Sequence, residues 1–276
     1  MSDPASGRGG APLRCALCAN YHTHTVRCGH ASGTEREYIE NALSAGMKTL
    51  GFSDHAPYPF PDGFRSTFRM GTDSLPGYVE TLLALREEYR GRIEILLGLE
   101  AEYYPARFGQ FLELISPYPL DYLILGQHYL ENEYDGTYCG APHGSEADLA
   151  RYADQVTEGL STGKFAYLAH PDLFNFTGND AAYRKHMTRL CLAAKELGIP
   201  LEINFLGYSD HRCYPSERFF RIVAEVGNTV IFGCDAHRPA MIPGTDALAG
   251  CSALAGRLGL VRTEAIRLTL RGSAQN

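Results

Sequence analysis

The chain has 276 residues, 45% hydrophobic and 21% charged, enough apolar material for a sizeable core and a composition that excludes wholesale disorder. Its 25 basic and 32 acidic residues leave a net charge of −7, a poor footprint for tracking nucleic acid along a basic stripe. No apolar run approaches the roughly 20 residues of a membrane span, and the first stretch, MSDPASGRGGAPLRCALC, has no apolar signal-peptide core, so a cytoplasmic protein with neither membrane nor nucleic-acid partner is expected.

Residues 1–15 are rich in Gly, Ala, Ser and Pro and read as a disordered tail. Leu17–Tyr21 reads as a first strand. Thr34–Ala45 reads as a helix, because Thr34 and Glu37 have capping-box spacing and Gly46 supplies a stop. Thr49–Phe52 is a second strand, and Ser74–Tyr89 a helix in which Leu82, Leu83, Leu85 and Tyr89 recur near helical period. Arg92–Leu99 follows as a third strand, Phe108–Ile115 as a short helix and Tyr122–Gly126 as a fourth strand. A polar loop, Glu131–Gly144, leads into a helix over Glu146–Thr162. Phe165–Ala169 is the fifth strand, Ala181–Leu197 a helix closed by Gly198, and Pro200–Asn204 the sixth strand. Ser216–Val226 is a helix closed by Gly227, and Thr229–Gly233 the seventh strand. Helices over Asp246–Leu258 and Thr263–Leu270 complete the reading.

Seven strands, each followed by helical pattern, favour parallel pairing through right-handed crossovers. No linker or repeat divides the chain, so the expected fold is α/β, a single domain over residues 16–272 with a barrel-like (β/α)7 arrangement. An open doubly wound sheet is the rival, and no G-x-G-x-x-G supports a dinucleotide site. The eight cysteines contain one C-x-x-C, Cys15 and Cys18, with no second pair to complete a zinc knuckle, so reduced thiols are expected.

The ionisable residues collect at strand ends. His22 and His24 close the first strand as Y-H-T-H-T, with His30 in the following loop. Asp54 and His55 close the second in G-F-S-D-H, Glu100 the third, His128 the fourth and His170 the fifth. Asn204 closes the sixth, and Asp235 and His237 the seventh in C-D-A-H-R-P. In an α/β barrel these ends form one face, the face that carries active sites. Residues i and i+2 of a strand point the same way, so H-x-H and D-x-H each present two side chains to one cleft. Imidazole and carboxylate suit Zn, Fe and Mn. Of the remaining histidines, His186 falls mid-helix and reads as a solvated surface residue, while His143 and His211 lie off the pattern.

The stretches H-T-H-T, G-F-S-D-H, the later H-P and C-D-A-H, in this order, resemble the PHP (polymerase and histidinol phosphatase) superfamily of metal-dependent phosphoesterases, from Tyr21 through Pro239. The resemblance implies a distorted (β/α)7 TIM-like barrel holding three metals. By the same carry-over, His22, His24, Glu100 and Asp235 hold the first metal. Glu100 bridges to the second with His128 and His170, and His30, His55 and His237 hold the third. G-F-S-D-H-A-P-Y and the length most resemble the histidinol-phosphate phosphatase branch. Gly126-Gln127-His128 departs from the Ser-x-His of many members and leaves metal binding intact. Glu102 lies on the same strand face as Glu100, and Glu100 is preferred because it occupies the family's G-x-E position.

Nine ligand-type residues are too many for one metal with open positions, so two to three divalent transition metals (Zn, Fe or Mn) are expected. Metals about 3.5–4 Å apart stabilise both the attacking and the leaving oxygen in displacement at phosphorus. There is no C-x-x-x-x-x-R loop and no aspartyl-phosphatase motif, so attack by a hydroxide held by the metals at Glu100 and Asp235 is the expected route. Arg238, Asn204 and Arg212 are candidate substrate contacts. Asp54 is a candidate for orienting a histidine ligand. The expected activity is hydrolysis of a small phosphomonoester, L-histidinol phosphate, in histidine biosynthesis. The alternatives are a phosphoesterase of other small phosphoesters or nucleotides, and a metal-binding PHP module without turnover.

Overall fold

The computed structural model describes residues 17–270, so the expected tail over residues 1–15 and one half of the C-x-x-C lie outside the described residues. In chain order the elements are β1 (Ala19–Asn20), α1 (Glu35–Ser44), β2 (Thr49–His55), α2 (Leu75–Glu88), β3 (Glu94–Ala101), α3 (Phe108–Ile115) and β4 (Tyr122–Leu125). There follow β5 (Tyr129–Leu130), β6 (Thr137–Tyr138), α4 (Glu146–Ser161), β7 (Phe165–Leu168), α5 (Asp180–Glu196) and β8 (Leu201–Asn204). The chain continues through α6 (Phe205–Ser209), α7 (Glu217–Val226), β9 (Thr229–Gly233), α8 (Thr245–Leu258) and β10 (Val261–Arg262). Local chemistry explains several boundaries. Thr34 caps α1 in a reciprocal box with Glu37, and Asn179, Ser145 and Ser216 cap α5, α4 and α7.

Eight strands pair in parallel in the order β1-β2-β3-β4-β7-β8-β9-β10, with helices in the crossovers: an α/β, TIM-like curled sheet. Beyond β1 and β9 the sheet closes on itself at the carboxyl end, where Thr23 bridges Ala236. There the His24 N–H donates to Ala236 O at 2.9 Å and the Ala236 N–H to His22 O at 3.2 Å. Strand alternation divides the core. Leu50, Phe52, Leu97, Leu99, Leu123 and Leu125 face outward to the helices. Tyr21, Leu96, Tyr122, Ile124, Tyr167 and Ile231 fill the interior. A Cβ at Gly98 would collide with the Tyr122 ring, so that position must be glycine for the ring to cross the barrel.

Three expectations need correction. Thr263–Leu270 is not helical; Ile266 and Leu268, two residues apart, pack into the interior cluster, and Leu270 N–H donates to Asp121 O at 3.1 Å. Period-two packing against the barrel wins over local helix propensity there. The loop over 131–144 contributes the strand β6, which pairs antiparallel with β5. His186 is buried, because α5 packs on α4 and sets His186 Nε2 3.1 Å from Glu146 Oε1.

Candidate metal centre

Glu100 stands at the centre of the carboxyl face. It is paired in register with His55 across β2 and β3 and is buried. Its Oε1 lies 2.7 Å from His170 Nε2 and 3.6 Å from His128 Nε2, while its Oε2 lies 2.9 Å from His55 Nδ1 and 3.4 Å from His22 Nε2. A Cβ at Gly126 would overlap the Glu100 carboxylate, so the neighbouring strand leaves room for it. Asp235 completes the arc, with Oδ1 at 3.0 Å from His24 Nε2 and 3.5 Å from His22 Nε2. The ring of His237 stacks on His24 with centroids 4.1 Å apart and on His30 at 4.7 Å, and His30 lies 5.4 Å from His55. All nine expected ligand residues therefore meet in one cluster.

Metal-donor atoms gather in overlapping groups: His22, His24 and Asp235; His22, Glu100 and His170; His24, His55 and His237. Buried His22 Nε2, His24 Nε2, Glu100 Oε2 and His237 Nε2 make no well-directed hydrogen bond among the described residues, although ring nitrogens and carboxylate oxygens crowd together there. Four such atoms facing one another is an arrangement that a folded protein avoids unless something else satisfies them. The donor set is imidazole and carboxylate, and it fits divalent metal ions.

The charges of the cluster are mutually dependent. Burial opposes protonation of His22, yet the carboxylates of Glu202, Asp235 and Glu100 outweigh it and raise the pKa well above the usual histidine value. Burial likewise opposes charge on His24, and Asp235 and Asp54 lift its pKa to about 9. For Glu100, burial pushes upward, but His55, His128 and His22 hold the carboxyl well below the carboxylate range. His237 is driven down to about 3 by burial and by neighbouring His24.

Behind these donor residues lies a layer of acids. Asp54 Oδ1 lies 3.4 Å from His24 Nδ1 and accepts the His55 N–H at 2.9 Å. Glu102, on the same strand face as Glu100, is turned aside. Buried Arg69 holds it at 2.8 Å, and its Oε1 lies 3.1 Å from His128 Nδ1. Arg69 also reaches Glu133 at 2.6 Å, so it ties two loops to this face. The sequence reading did not single out Arg69 or Glu202. Glu202 is buried on β8 with Oε1 2.8 Å from His22 Nδ1. The available signal was L-E-I-N: an acid alternating with apolar residues on a buried parallel strand, two positions before a strand-end polar residue.

The substrate candidates divide. Arg212 and Arg238 line a cleft of about 480 Å³ above the cluster, with Phe68, Tyr129, Tyr138 and Tyr214 on its walls. Arg212 is steered by Tyr214 Oη at 3.2 Å and Asp210 at 3.1 Å. Asn204 is not on the cleft wall, a correction to its expected role. It is fully buried, accepts the Gly207 N–H at 2.8 Å to cap α6, and donates to Glu202 at 2.8 Å and Asp235 at 3.1 Å. Both polar atoms of its side chain are thus engaged, by α6, Glu202 and Asp235. Gln127 is also buried; it accepts from Tyr103 N–H at 3.0 Å and donates to Tyr129 O at 2.7 Å, which ties the ends of β3 and β4.

Residues 20–205 match the family model of the PHP domain. The chain belongs to the PHP family. The chain is 34% identical over 236 residues to a probable histidinol-phosphatase of Deinococcus radiodurans, a match covering 82% of this chain and 88% of the relative. It is 36% identical over 252 residues to a histidinol-phosphatase of Bacillus subtilis, covering 79% and 92%. The PHP fold superposes on a crystal structure of histidinol phosphate phosphatase from Lactococcus lactis, complexed with zinc, L-histidinol and phosphate. That match has a TM-score of 0.70 at 20% identity and covers 91% of this chain and 97% of that one. Among the described residues no helix is long and apolar enough to cross a membrane.

Proposed function

We propose that this chain is a metal-dependent phosphomonoesterase that hydrolyses L-histidinol phosphate to L-histidinol and phosphate, acting in the cytoplasm as one catalytic domain over residues 16–272. The observation that carries the reading is the buried cluster of histidine and carboxylate donors opening into a cleft with two arginines at its mouth. The relatives named histidinol-phosphatase, at 34% and 36% identity over most of the chain, support the substrate.

In this reading His22, His24, Glu100 and Asp235 would hold one divalent ion, Glu100, His128 and His170 a second, and His30, His55 and His237 a third. When bound, such ions acidify water and neutralise phosphoryl charge. The chain's own residues do the rest. Glu100 and Asp235 orient the attacking water beneath the phosphorus. Arg212 and Arg238 take phosphoryl oxygens from above, where guanidinium makes paired charge-assisted bonds. The aromatic walls Phe68, Tyr129 and Tyr138 offer faces to an imidazole and exclude water around it.

Two measurements test the proposal. Metal analysis after reloading should find two to three transition-metal ions per chain; one or none would sink the trinuclear site. Phosphate release from a panel of monoesters, after loading with Mn, Zn or Fe, should show kcat/KM for histidinol phosphate at least about tenfold above p-nitrophenyl phosphate, about 1.4 kcal/mol of discrimination. A smaller ratio would leave only a phosphoesterase of broader substrates.

A further inference from the structure

Glu202 touches both halves of the cluster. Its Oε1 lies 2.8 Å from His22 Nδ1. Its Oε2 accepts the His170 backbone N–H at 2.9 Å and Asn204 Nδ2 at 2.8 Å. Asn204 in turn donates to Asp235 at 3.1 Å. His170 and Asp235 are non-glycine residues with left-handed backbones, φ 27° and 48°, a conformation that persists only where surroundings enforce it. A Cβ at Gly233 would strike Glu202 Oε1, so β9 leaves this carboxylate its space. One fully buried side chain thus reaches a ligand's ring, a second ligand's backbone and, through Asn204, a third ligand's carboxylate.

We propose that Glu202 is a positioning residue: it keeps the His22 proton on Nδ1, so that the Nε2 lone pair faces the metal cluster, while its other oxygen holds the His170 backbone. The inference rests on the metal-dependent reading above. Its specific consequence follows from donor and acceptor counting. His170 N–H and Asn204 Nδ2 are both donors, so in Glu202→Gln the amide oxygen must face them. Asn204 cannot turn over to relieve this, because its oxygen accepts the Gly207 N–H and its nitrogen faces Asp235. The new amide NH2 then faces His22 Nδ1 and the Tyr167 hydroxyl, 3.5 Å from the same position; the hydroxyl can turn to accept, and the ring nitrogen becomes an acceptor. The His22 proton moves to Nε2, where it occupies the position a metal needs. A substitution of the same shape therefore turns a ligand off without removing it.

The test is a zinc titration in competition with a chelator, on the full chain at one pH. Wild type should bind zinc; if it does not, the metal reading fails rather than this inference. Glu202→Gln should bind zinc about 10–100-fold more weakly, while its metal-free far-UV spectrum and cooperative unfolding stay those of wild type. Affinity within twofold of wild type would overturn the proposal. Should the variant fail to fold, histidine-ring 15N spectra of zinc-loaded wild type decide the matter: a proton on His22 Nδ1 is expected, and a proton on Nε2 overturns it.

Discussion

The floor of the cleft stands on strand ends, and its rim stands on loops. On the floor, His22, His24, Glu100 and Asp235 are buried; Glu202, Asp54 and Asn204 hold His22, His24 and Asp235 from behind, and Gly126 leaves the room that the Glu100 carboxylate fills. On the rim, the Arg212 and Asp210 side chains are 41% and 44% exposed, and Arg212 is held by Asp210 and by Tyr214 Oη. His30 is exposed as well, with Nδ1 3.1 Å from Cys28 O and its ring stacked on His237. The contrast separates two demands. Holding cations needs several donors at fixed positions, which a hydrogen-bonded sheet supplies; recognising a substrate needs groups that can adjust, which loops supply.

Substitutions can sharpen that contrast. Glu100→Gln should do most damage, lowering kcat/KM by about 10³-fold or more, as loss of a preorganised charged group at the reaction centre does. Steady-state kinetics and metal analysis on the variant would check it. If Glu102→Gln abolished turnover and Glu100→Gln did not, the two acids would have exchanged roles. On the rim, Arg238→Ala or Arg212→Ala should raise KM about 10–100-fold with a smaller change in kcat, because each loses charge-assisted bonds worth about 1.5–3 kcal/mol. A kcat fall larger than the KM rise would move that arginine to the floor. Glu102→Gln should act through His128 and weaken metal affinity by about tenfold, read by chelator competition.

The mildest test is pH. In metal-free protein, the His24 pKa is raised to about 9 from the usual 6.5, so its ion pairing contributes fully below 6.5 and is lost as pH rises through 9. The His237 pKa is lowered to about 3, so the unfolded chain takes up protons that the folded one refuses, and stability falls as pH drops from 6.5 toward 3. The thermal midpoint of the metal-free protein should peak near pH 6.5 and decline on both sides. Metal should flatten the alkaline limb, since a liganded His24 no longer relies on its proton. An alkaline limb unchanged by metal would separate His24 from the cations.

Much of the floor was legible in the chain because strands have a period of two. Read as strand ends, H-T-H and D-A-H put pairs of side chains on one face, and their repetition pointed to one cluster, although in the fold Asp235 lies beyond β9 with a left-handed backbone, φ 48°. What was not legible are the groups whose role depends on a partner far away in sequence. The family position favours Glu100 over Glu102 in the sequence, but only the fold shows that Arg69, from the loop after β2, claims Glu102. Asn204 sits at a strand end like the ligands, yet it faces Glu202 and Asp235 rather than the cleft. Residues 263–270 carry a helical pattern, but the open bottom of the barrel takes Ile266 and Leu268 and straightens them.

By itself the sequence determined the alternation of strands and helices, the capping of α1 and the set of donor residues, because periodicity and capping act within a few residues. Only the tertiary structure decided what holds Glu102 aside, which ring nitrogen faces inward and which polar residues stay behind the wall. Those choices rest on hydrogen bonds between residues up to 180 apart in sequence, as between His22 and Glu202, and a buried donor or acceptor takes its orientation from whichever partner the fold brings to it.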